Sequence, residues 1–108
     1  MKTENHATWA ISPEVRATYS EDGAVLLDIN KGMCYSLNAV GARIWVTIES
    51  SPSGIALGGI VEALATHYET PYGQLEADTK ECLHKLLQLG LIRSNGSTRL
   101  TGFAGRGG

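Results

Sequence analysis

The chain has 108 residues, 43% of them hydrophobic, and a formal net charge of −2. That length fits one domain with a modest core, and that composition favours folding over disorder. The mild acidity argues against non-specific binding to nucleic acid or to an anionic membrane, since both need clustered positive charge.

No apolar run approaches the roughly 20 residues of a spanning helix. Met1 to Ala10 mixes Lys2, Glu4 and His6 and lacks the apolar core of a secretory signal. Two cysteines, Cys34 and Cys82, do not make a disulfide framework. These features lead to the expectation of a reduced, soluble, cytoplasmic domain. Its first ten residues are expected to form a flexible lead-in.

Val15 to Tyr19 alternates apolar and polar residues, as a half-buried strand does. Ser20-Glu21-Asp22-Gly23 is a turn signal, and Ala24 to Asn30 reads as a second strand. In it Val25, Leu27 and Ile29 share one face, and Leu26, Asp28 and Asn30 the other. Asn30-Lys31-Gly32 is a tight-turn sequence. Met33 to Leu37 follows as a third strand, with Met33, Tyr35 and Leu37 on one face. The spacing predicts a three-stranded antiparallel meander.

Asn38 is a helix-capping residue, and Val40, Ile44 and Ile48 recur every four residues beside Trp45. This helix ends before the loop Ser50-Ser51-Pro52-Ser53-Gly54. Leu57, Ile60, Val61, Leu64, Ala65 and Tyr68 outline a second helix, weakened at its start by Gly58 and Gly59. Pro71 and Gly73 interrupt the pattern. A third helix is expected from about Gln74 to Leu89, with Leu75, Cys82, Leu83, Leu86, Leu87 and Leu89 on its apolar side. Gly90 is placed to end that helix, with Leu91 packing back on Leu86. Leu91-Ile92-Arg93 reads as a short extended piece, and residues 94–108 as a flexible Gly-rich tail. The expected fold is α+β: a three-stranded antiparallel sheet followed by three helices, similar to a winged helix-turn-helix.

Chemistry-bearing residues are sparse. His6, His67, His84, Cys34 and Cys82 lack metal-ligand spacing, because Cys82 and His84 at i and i+2 do not share a helix face. No Gly-rich phosphate loop follows a strand. The outer face of the third helix carries Glu76, Lys80, Glu81, His84, Lys85 and Gln88, so acids and lysines cancel where a DNA-reading helix would be basic. Both cysteines read as small buried hydrophobes. No catalytic residue, metal or cofactor is indicated, and a binding module is expected rather than an enzyme.

Three stretches carry a resemblance: Asp22-Gly23-Ala24-Val25-Leu26-Leu27-Asp28, then Gly32-Met33-Cys34-Tyr35-Ser36-Leu37-Asn38, then Gly41 with Ile44-Trp45. Further on come Ile60, Leu64, Tyr68, Leu75, Asp78, Leu83, Leu86 and Gly90-Leu91-Ile92. In order and spacing this resembles the PqqD family, whose members are also called RiPP recognition elements. The resemblance covers roughly Ile11 to Arg93, and it looks more like the stand-alone members of lasso-peptide clusters. Thr79 and Cys82 depart from it, standing where larger apolar residues are expected.

The resemblance implies a peptide-binding role. The leader of a ribosomally made precursor would add as a strand to the edge formed by Met33, Cys34, Tyr35, Ser36 and Leu37. Asp78, Cys82, Lys85, Leu86 and Leu89 of the third helix would form the opposing wall. The implied partners are that leader and a processing enzyme: a transglutaminase-like leader peptidase in lasso systems, or a radical enzyme in quinone-type systems. Neither a nucleic acid nor a membrane is implied. The competing readings are a winged-helix regulator and a structural subunit that pairs through the same sheet edge.

Overall fold

The computed structural model describes residues 7–95, with the side chain of Asn95 excluded. The elements in chain order are β1 (Thr8–Ile11), β2 (Val15–Ser20), β3 (Gly23–Asp28), β4 (Met33–Asn38), α1 (Ala39–Glu49), β5 (Ile55–Ala56), α2 (Leu57–Ala65), α3 (Tyr72–Gln88) and β6 (Ile92–Asn95). This is the expected α+β order of a meander followed by three helices. A second small sheet is added to it.

In the meander the order is β2-β3-β4, all antiparallel. Ala24, Leu26 and Asp28 point inward and are buried, whereas Val25 and Leu27 face out at 45% and 40% exposure. A carboxylate thus takes an inner position next to exposed aliphatics. Asp28 is accommodated because its Oδ1 accepts the Lys31 backbone N–H at 3.1 Å, which also shapes the β3–β4 turn.

Helix α1 follows β4 without a linker. Asn38 Oδ1 accepts the Gly41 N–H at 2.8 Å, a cap that contributes about 1 kcal/mol. The helix turns Ile44, Trp45 and Ile48 into the core, where Leu26, Ile60, Val61, Leu64, Leu75, Leu83, Leu86 and Leu91 meet them. Helix α3 starts at Tyr72, earlier than the Gln74 expected, because Pro71 serves as the N-cap position and its carbonyl accepts from Gln74 and Leu75. Thr79, short for its position, is fully buried, and its hydroxyl donates to the Leu75 carbonyl at 2.7 Å.

The second sheet, order β5-β1-β6, corrects the expected flexible ends. Within the segment 1–10, Thr8 to Ala10 are strand; within 94–108, Ser94 and Asn95 are strand. Residues 1–6 and 96–108 lie outside the described residues. The physical reason is long-range pairing, of Thr8 to Ile11 with Asn95 to Ile92 and of Thr8 and Trp9 with Ala56 and Ile55. Trp9 and Ile11 pack against the core from this sheet.

Two loops, one following β1 and one joining β3 to β4, fix the end of α3. At the helix end, Gly90 takes a φ of 76° and the Leu91 N–H reaches the Leu86 carbonyl at 3.0 Å, the expected left-handed stop. The carbonyls around this stop are tied to loops distant in sequence. Ser12 Oγ donates to the Gly90 carbonyl at 2.9 Å, and the Ser12 N–H to that of Leu91 at 3.1 Å. Lys31 Nζ, from the β3–β4 turn, donates to the Leu89 carbonyl at 3.2 Å. So α3 is held at a set distance from the meander.

Among the described residues, no helix is long and apolar enough to cross a membrane.

Candidate peptide-binding groove

Among the described residues, strand β4 is the edge of its sheet. Which of its backbone groups are free follows from the ladder. The Ile29 N–H donates to the Glu14 carbonyl at 3.0 Å, one step beyond the Val15–Asp28 pair. Antiparallel pairs alternate between bonded and non-bonded. Gly23, Val25 and Leu27 therefore bond to β2, and Ala24, Leu26 and Asp28 bond to β4. Their partners Leu37, Tyr35 and Met33 spend their backbone groups inward. Cys34 and Ser36 are left with N–H and C=O pointing away from the sheet.

The free edge faces α3 across a groove with two compartments. One, of about 340 Å³, is lined by Cys34, Tyr35, Ser36, Leu37, Cys82, Lys85, Leu86, Leu89 and Leu91. The other, of about 480 Å³, continues past Ser36, Leu37 and Asn38 to the start of α1 and is walled by Asp78, Glu81, Cys82 and Lys85. Tyr35 and Leu37 are half-buried and floor the groove, while Cys34 and Ser36 are exposed.

The residues singled out from the sequence therefore converge, with one exception. Cys34, Tyr35, Ser36, Leu37, Asp78, Cys82, Lys85, Leu86 and Leu89 line the groove. Met33 pairs with Asp28 and lines neither compartment. Sequence reasoning passed over Asn38, Val40, Gly41, Ile44, Glu81 and Leu91, which also line it. Periodicity had marked Val40 and Ile44 as the apolar side of α1, and Glu81 as a solvated helix position. Only the tertiary arrangement of β4, α1 and α3 brings them to one surface.

The cysteines differ in setting. Cys34 is exposed and Cys82 half-buried, and both are free thiols. Burial pushes the Cys82 thiol pKa up, with the Lys85 charge opposing and the Glu81 charge adding. A thiol held protonated is a poor nucleophile. At pH 8, iodoacetamide is expected to label Cys34 several-fold faster than Cys82, read by peptide mass spectrometry. Equal rates would contradict this burial.

Three comparisons bear on the groove. The solved structure of TbiB1 in complex with the TbiA(beta) leader peptide matches with a TM-score of 0.70 at 30% identity, covering 78% of this chain and 94% of that one. A lasso peptide synthetase B1 complexed with the leader peptide shares the fold, with a TM-score of 0.67 at 22% identity over 80% of this chain and 98% of that one. No curated protein sequence matches significantly. The family described as Coenzyme PQQ synthesis protein D (PqqD) matches residues 23–92, a span that holds β3, β4, all three helices and every residue lining the groove. The chain belongs to the PqqD family.

Proposed function

We propose that this chain binds the leader segment of a ribosomally synthesised precursor peptide by β-strand addition to β4, and presents it to a processing enzyme. The observation that carries this reading is the edge of β4, where Cys34 and Ser36 direct backbone groups with no strand partner among the described residues toward a groove walled by α3. Main-chain pairing supplies affinity, and the pockets beside it supply register. Similarity to two structures solved with leader peptides supports the same reading. The lasso peptide synthetase B1 neighbour favours a lasso-peptide setting, and the partner enzyme proposed for that setting is a leader peptidase.

The domain acts by concentration rather than bond chemistry. Holding the leader while touching the enzyme turns an encounter between molecules into one within a complex. The leader loses chain entropy on ordering, so a dissociation constant of about 10 nM to 10 μM is expected.

Fluorescence polarisation with the leader of a cognate precursor peptide tests the reading. Ser36→Pro removes an N–H that points away from the sheet, so it spares the β3–β4 ladder. The variant is expected to keep its circular dichroism and to bind at least about tenfold more weakly. No binding by the wild type up to about 100 μM would contradict the proposal.

A further inference from the structure

The two compartments differ in charge as well as shape. Beside Leu86, Leu89 and Leu91 the wall is aliphatic. Toward the start of α3 the wall carries two carboxylates, Asp78 and Glu81. Lys85 stands between the compartments, and Lys31 lies beyond the apolar one, bonded to Leu89. The acidic compartment thus carries two carboxylates against the one ammonium of Lys85, and Lys85 is the one charged residue lining the aliphatic compartment. The positive end of α1 also meets the acidic compartment, but its Gly41 N–H is already taken by Asn38.

The direction of an added strand follows from the sheet. Every pair in the meander is antiparallel, and antiparallel pairing is the more stable per residue. A peptide antiparallel to β4 has its N-terminal side near Asn38 and the acids, and its C-terminal side near Cys34 and Leu89. The spacing follows from two rises. Glu81 and Asp78 precede Leu86 by about 7 to 12 Å along the helix, at about 1.5 Å per residue. A strand advances about 3.3 Å per residue, so that distance is two to four peptide residues. Alternation of side chains leaves the even spacings.

We propose that the groove selects leaders in which a basic residue stands two or four positions before a large apolar residue. Asp78 and Glu81 are the specificity-determining groups for the basic side chain, and the aliphatic compartment seats the apolar one. This rests on strand addition at β4 and adds the direction and sign of the sequence that is read. Both carboxylates are exposed, so each discriminates modestly and in a salt-dependent way.

Selection of a random dodecapeptide display library on the full chain tests the inference without a known leader. Three chains are compared: the wild type, the double variant Asp78→Asn with Glu81→Gln, and Ser36→Pro. The wild type is expected to enrich lysine or arginine two or four positions before a large apolar residue. The double variant should keep the apolar preference and lose the basic one. A selected peptide, resynthesised, should bind the double variant about five- to tenfold more weakly at low salt. Enrichment of the apolar position alone, or of an acidic residue at the basic position, would overturn the inference while strand addition stands. Equal enrichment by the Ser36→Pro chain would overturn strand addition itself.

Discussion

Trp45→Ala is expected to lower the unfolding free energy by about 3–5 kcal/mol, the largest loss from any single truncation in this chain. Trp45 is among the largest of the fully buried side chains. It lies in the core with Leu26, Ile60, Leu64 and Leu86. Small domains have about 5–15 kcal/mol in total, so the loss takes a large share. The indole N–H finds no acceptor among the described residues. Phenylalanine removes that buried donor and most closely keeps the ring, so Trp45→Phe should cost far less than alanine. Urea denaturation followed by circular dichroism separates the two. Similar midpoints for both variants would show that the packing at Trp45 contributes little.

The second large effect comes from adding a single methyl group. A Cβ at Gly23 would fall on the Leu37 carbonyl oxygen, which belongs to the backbone of β4. That oxygen cannot move without breaking the Gly23–Asn38 and Ala24–Leu37 pairs. Those pairs lie at the end of β4 that leads into α1 and the acidic compartment of the groove. Gly23→Ala is therefore expected to cost about 3 kcal/mol or more, lowering the melting temperature by roughly 10 °C or more. The same change at Gly58, in α2, meets nothing within 4 Å, and it should be neutral or slightly stabilising. A melting temperature for Gly23→Ala within about 2 °C of the wild type would contradict the close strand approach.

Much of this architecture is legible from residue order alone. Alternation around the Ser20–Gly23 and Asn30–Gly32 turns marks the meander, and four-residue spacing of Val40, Ile44 and Ile48 marks α1. These signals are local, since each element's period is set by its own neighbours. The second sheet is not legible for the opposite reason. Thr8 to Ile11 becomes a strand only by pairing with Ile92 to Asn95 and Ile55 to Ala56, far along the chain. Two-residue β5 carries no period at all. The inward turn of Asp28 is also invisible, because its face has fewer aliphatics than the one bearing Val25 and Leu27.

The groove was legible in part. Its walls follow from placing β4 against α3, and nine of the residues named beforehand line it. Met33 does not, since it sits at the first pair of the ladder beside the turn. Glu81 could not be placed, because a charged helix residue looks alike whether it faces water or rims a cleft. Nor could the sequence say which β4 amides are free. That depends on the bond between Ile29 and Glu14, on the far side of the sheet.

Cys34 and Ser36 are the backbone positions proposed to receive a peptide strand. Amide hydrogen exchange, measured residue by residue by NMR with and without the leader peptide, tests this most directly. The amides of Tyr35 and Leu37 are already paired to β3 and should exchange slowly in both states. Those of Cys34 and Ser36 should exchange fast in the free protein and slow by about tenfold or more on binding. Binding that leaves Cys34 and Ser36 exchanging fast, with protection gained elsewhere, would contradict strand addition at β4.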